Sequence, residues 1–94
     1  MMTDACLSSL QLLIQRVKIE HESQITKWGV QTHTSFEWLT FLAEEVGELA
    51  EAISEYEYRS ATTTPIFNEA IQVATLALKI AEMSKLMPSF KKEN

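Results

Sequence analysis

Apolar residues recur along this chain at helical intervals in three successive blocks. In the first block Leu7, Leu10, Ile14, Val17, His21 and Trp28 fall three, four and seven apart, which predicts a helix over 3–27 with Gly29 as its stop signal. The segment GVQTHT then leads to Thr34-Ser35-Phe36-Glu37, where a hydroxyl and a carboxylate three residues apart make a capping box. A second helix is predicted from there to residue 59, its apolar seam built from Leu39, Leu42, Val46, Leu49, Ile53 and Tyr56. In the linker SATTTP, Thr64 reads as an N-cap and Pro65 as the first helical residue of a third helix reaching residue 86. Pro88 lies just beyond, and the tail 88–94 reads as frayed.

The third helix is apolar almost all round. Ile66, Ala70, Val73, Leu76, Ala77, Ile80 and Ala81 fill one wide face, and Phe67, Ile71, Ala74 and Leu78 extend it. A narrow strip of Asn68, Gln72, Thr75, Lys79 and Glu82 is polar. A helix of this kind is buried on several sides. Three helices of one chain can hardly surround it. The expected fold is therefore all-α, a helical bundle of three main helices per chain completed by oligomerisation, as a homodimer or homotetramer.

Composition narrows the class. Ninety-four residues make one domain, and two Gly with two Pro agree with long uninterrupted helices. A net charge of −5 disfavours nucleic acid as a partner. A lone Cys6 excludes an internal disulfide and a cysteine metal site, and fits a reducing, cytoplasmic setting. The start does not resemble a signal peptide. The most apolar run, 66–83, is interrupted by Asn68, Glu69, Gln72, Lys79 and Glu82, so no membrane span is expected.

The acidic residues carry the candidate chemistry. Glu44, Glu45 and Glu48 crowd the stretch EEVGELAEAI, whereas Glu51 and Glu55 fall on the outer side and read as solvated. Residues three apart on a helix have Cβ atoms roughly 5–6 Å apart, so Glu45 and Glu48 can converge on one hard cation. Glu69 lies between Val73, Leu76 and Ile80, inside the apolar face of helix three. An isolated carboxylate out of water costs several kcal/mol or takes up a proton, unless a counter-charge meets it. No lysine or arginine is its neighbour in sequence. Oxygen ligands of this kind suit Mg²⁺, with Mn²⁺ as the alternative. The competing reading is a solvated face, since Glu is a good helix former. Gly47, unfavourable inside a helix, marks close packing or ligand approach.

EEVGE followed, after twenty residues, by EAIQ resembles the MazG-like family of all-α nucleoside triphosphate pyrophosphohydrolases. That family's signature is Glu-Glu-x-x-Glu on one helix and Glu-x-x-Asp on the next. The likeness covers 38–83 and, more loosely, KWGVQTH before it; Gln72 stands where the family usually has Asp. The resemblance implies Mg²⁺-dependent hydrolysis of a (d)NTP to (d)NMP and pyrophosphate. Glu45, Glu48, Glu69 and Gln72 would be the metal ligands. Glu45 and Glu44 would be the catalytic pair, Glu44 orienting or deprotonating the attacking water. Trp28 and Trp38 would stack the base, His33 would contact base or phosphate, and Lys79 a phosphate oxygen. Each of these four also has an ordinary structural reading, as core aromatic, solvated loop histidine or surface lysine. His21, on the apolar stripe, reads as a core or interface residue. Two rivals follow: a nucleotide- or metal-binding protein without turnover, motivated by Gln72, and a purely structural helical dimer.

Overall fold

The computed structural model describes residues 4–85 of the chain. Three α-helices account for almost all of them, α1 (Asp4–Trp28), α2 (Ser35–Arg59) and α3 (Thr64–Lys85), with no strand among the described residues. The tail 88–94 lies outside the described residues, as does the Leu7 side chain.

Local chemistry sets the helix ends. Gly29 turns into the left-handed region at φ 71°, and its N–H closes α1 on the Ile25 carbonyl at 2.8 Å. The capping box at α2 is complete: Glu37 N–H donates to the Thr34 hydroxyl at 3.1 Å, and Thr34 N–H donates to the Glu37 carboxylate at 2.8 Å. Ser60 ends α2 in the left-handed conformation at φ 55° without the glycine that usually occupies such a position. At α3 the Thr63 carbonyl accepts from Phe67 N–H at 3.1 Å, so the helix starts one residue before the place the Thr64-Pro65 pair indicates, with Pro65 still in its first turn. The ring tolerates that place because an N–H there has no intrahelical partner to lose.

Helix α3 is the middle element. It packs against both α1 and α2, which make no close backbone approach to each other. The cleft left between α1 and α2, floored by α3, holds the aromatic and cationic part of the candidate site, and Glu45 links it to the carboxylates between α2 and α3.

The helices are rotated differently from the apolar seams. On α2 the inward residues are Trp38, buried to 4% exposure, Ala52 and the half-buried Phe41, Leu42, Glu45 and Leu49. Leu39, Val46, Ile53 and Tyr56 of the expected seam are exposed. On α1, Val17 and His21 are half-buried whereas Leu10, Ile14 and Trp28 are exposed. Helix α3 turns its polar strip toward α1 rather than water: Thr75 is 1% exposed, and Gln72, Lys79 and Glu82 are half-buried. The reason is matching polarity, because α1 presents Glu20 and Gln24 there. Thr75 satisfies its hydroxyl on the Ile71 carbonyl at 2.7 Å, which allows a polar side chain at the centre. Trp38, Ala52, Ile71 and Met83 are the buried apolar side chains among the described residues.

Of the two readings of Gly47, close packing within the chain does not hold among the described residues. A Cβ at this position would meet nothing within 4 Å, so no packing inside the chain requires glycine.

Candidate metal centre and cleft

Glu45 and Glu48, one turn apart on α2, meet Glu69 from the first turns of α3. One oxygen from each lies within 4.8 Å of the others. Helical spacing brings the first two together, and the packing of α2 on α3 brings the third. Glu48 is exposed, whereas Glu45 and Glu69 each turn one oxygen, Oε2, out of solvent without a hydrogen-bond partner among the described residues. Burial first, then the charges of Glu48 and Glu69, push the Glu45 carboxyl above the usual carboxylate range. Glu69 is pushed up in the same direction, by burial and then by hydrogen bonding and charge from Glu48. The ion pairs among the described residues, His33–Glu37 at 3.8 Å and Arg59–Glu55 at 3.6 Å, involve none of the three. Three hard oxygen donors, two with an orphaned buried atom, fit a divalent cation such as Mg²⁺.

Glu45 also borders the cleft. Trp28, Trp38, Phe41, Gln72 and Lys79 line a space of about 310 Å³, with Glu44 and Glu45 at its acidic end. It runs on into a second hollow of about 220 Å³, with which it shares Gln24, Trp28, Gln31, Trp38 and Lys79, and to which His21 and Met83 add. Trp28 is an exposed rim residue, with the Lys27 ammonium 5.4 Å above its ring. Trp38 is core, and its buried indole Nε1 finds no acceptor among the described residues.

The structure thus gathers Glu44, Glu45, Trp28, Trp38, Gln72 and Lys79 around one cleft. His33 is placed elsewhere, outside both cleft linings. Its ring stands edge-on to Trp38 and to Phe41, 4.9 Å from each, with Nε2 3.3 Å from the Gln31 amide. Gln72 lines the cleft, but its amide is engaged by α1 rather than by the carboxylates. Its Nε2 donates to Glu20, and its Oε1 accepts from Gln24 at 3.2 Å. Gln24 in turn accepts from the Lys79 ammonium, completing a four-member polar chain between α1 and α3. Burial holds the Lys79 ammonium below its ordinary pKa, while the Glu20 charge acts the other way.

Sequence reasoning missed Glu20, Gln24, Gln31 and Phe41. Glu20 and Gln24 had a signal: they stand three and seven residues after Val17, on the side of α1 that carries His21. Gln31 and Phe41 had none, because a linker residue and an aromatic inside a seam look ordinary.

No family model, curated protein or solved structure matches this chain. Among the described residues, no helix is long and apolar enough to cross a membrane.

Proposed function

We propose that this protein is a Mg²⁺-dependent nucleoside triphosphate pyrophosphohydrolase of the MazG-like type, cutting between the α and β phosphates to release pyrophosphate, and that it works as a homo-oligomer. The observation that carries the reading is the convergence of Glu45, Glu48 and Glu69, with Glu45 also lining a cleft of aromatic and cationic side chains. A bound Mg²⁺ would neutralise phosphate charge and acidify a water ligand. Glu45, Glu48 and Glu69 are the residues to hold it. Glu44, exposed at the cleft's acidic end, is free to orient or deprotonate the attacking water. Lys79 offers a cation to a phosphate oxygen, and Trp28 a partly exposed face to a base.

The test is pyrophosphate release from a panel of NTPs and dNTPs with Mg²⁺ or Mn²⁺, with Glu45→Gln alongside. The reading expects release from the native chain that is lost in the variant. Release that survives Glu45→Gln, or no release from folded, metal-loaded protein, would overturn it.

One observation favours a second reading, that of a nucleotide- or metal-binding protein without turnover. The Gln72 amide is neutral and already held by Glu20 and Gln24, so the second acidic block has only Glu69 to offer the ion. In that case Mg²⁺ and nucleotide bind without hydrolysis, and Gln72→Asp introduces activity. A purely structural helical dimer would respond to neither ligand.

A further inference from the structure

The polar chain between α1 and α3 is a zigzag, from Glu20 of α1 to Gln72 of α3, back to Gln24 of α1 and on to Lys79 of α3. Helical spacing sets the stagger, with Glu20 and Gln24 one turn apart and Gln72 and Lys79 two turns apart. Every bond points the same way. Lys79 donates to Gln24, Gln24 donates to Gln72 at 3.2 Å, and Gln72 donates to Glu20. An interior member of such a chain must accept at one end and donate at the other. A carboxylate only accepts and an ammonium only donates, so both interior places call for an amide. Gln72 therefore has a reason of its own: an ionised Asp, usual here in the MazG-like pattern, would have no proton to give Glu20.

The chain ends on a cation that the cleft leaves uncommitted. Lys79 lines both hollows, Glu44 and Glu45 share one of them and Glu82 the other, yet the ammonium forms no ion pair among the described residues. A carboxylate bonded directly to it would neutralise its charge and compete with an incoming anion. Two amides in between keep the Glu20 charge two side chains away, so a neutral carbonyl holds the ammonium and leaves it cationic. A lysine stem is long and rotatable, and ordering it before a ligand arrives lowers the entropy lost on binding.

We infer that Gln24 is a positioning residue: its side-chain carbonyl, oriented through Gln72 and Glu20, holds the Lys79 ammonium at the cleft, un-neutralised, for a phosphate oxygen of the nucleotide. This role rests on the reading above that nucleotide phosphates meet Lys79. It does not depend on turnover.

Calorimetric titration with non-hydrolysable α,β-methylene nucleoside triphosphates, one for each common base, in Mg²⁺ tests the role on native chain, Gln24→Ala, Lys79→Met and the double variant. Lys79→Met is expected to weaken the tightest analogue about tenfold and Gln24→Ala several-fold. The double variant should bind no more weakly than Lys79→Met, because Gln24 acts only through the ammonium. Gln24→Glu sets a carboxylate directly on that ammonium and should weaken binding more than Gln24→Ala. Should Gln24→Ala fail to fold, Gln24→Met keeps the length and packing without the carbonyl and takes its place in the cycle. Native affinity in Gln24→Ala, losses that add in the double variant, or Gln24→Glu binding better than Gln24→Ala would overturn the positioning role and leave nucleotide binding standing. Additive losses are also what a general structural role of Gln24 would produce. No binding of any analogue by the native chain would sink the nucleotide reading, and the role of Gln24 with it.

Discussion

Glu45 of α2 and Glu69 of α3 approach each other with one buried, unpartnered oxygen apiece, and Glu48 closes the group within 4.8 Å. Two carboxyls held above their usual pKa by burial and by each other's company make the metal-free fold less stable than its packing alone would give. The sign follows from proton counting. A raised folded pKa means that the native state binds more protons than the unfolded chain between the ordinary carboxylate pKa and the folded one, so stability falls as pH rises through that window. Metal-free protein should therefore gain melting temperature as pH is lowered from neutral toward the ordinary carboxylate range. A thermal melt series in chelator checks this, and a flat profile would mean the carboxyls are not strained.

A cation should replace the protons. At about ten times its Kd, Mg²⁺ adds about 1.4 kcal/mol of stability, or about 6–11 °C in Tm for a domain of this size. The shift should be larger at neutral pH than in mild acid, where protons compete. Melts of metal-free protein with and without added Mg²⁺ measure it, and an identical Tm in both would count against the metal centre.

Glu45→Gln and Glu69→Gln should each raise the Tm of metal-free protein at neutral pH, because each removes a desolvated charge and supplies an amide donor to its neighbours. Both should also remove most of the Mg²⁺ response. A variant that loses stability in chelator while keeping the response would show that its carboxylate is structural.

Lys79 titrates in the opposite sense. Its folded pKa lies below the ordinary 10.5, so between the two values the unfolded chain binds more protons and stability rises with pH. Lys79→Gln should flatten that rise relative to the native chain in alkaline melts, and should weaken nucleotide binding by removing the cleft's cation. Equal slopes in both proteins would mean that Lys79 is not desolvated.

Two backbone substitutions separate local preference from function. Gly47→Ala meets open space in a helix interior and should stabilise the chain by about 0.5–1 kcal/mol, while any loss of activity would show that a ligand or partner needs the gap. Ser60→Gly relieves a left-handed backbone at φ 55° and should add up to about 1 kcal/mol. Urea denaturation midpoints read both effects.

The sequence by itself determined the three helices and most of their ends. Helical recurrence, the Thr34–Glu37 box and the left-handed Gly29 act over three or four residues, a range at which side chain and backbone chemistry are decided locally. It also placed Glu45 and Glu48 on one face, since that depends on helix pitch alone. The tertiary structure decided how each helix is turned about its own axis. Seen alone, α2 offers Leu39, Val46 and Ile53 as readily as Trp38 and Ala52, and the surface of α3 selects the second set. The same holds for the polar strip of α3. Gln72 and Lys79 look like a face for water until α1 brings Glu20 and Gln24 against them, because a polar side chain is content inside wherever its partners come with it. Helix period is written in one segment, but helix rotation is a property of two surfaces meeting.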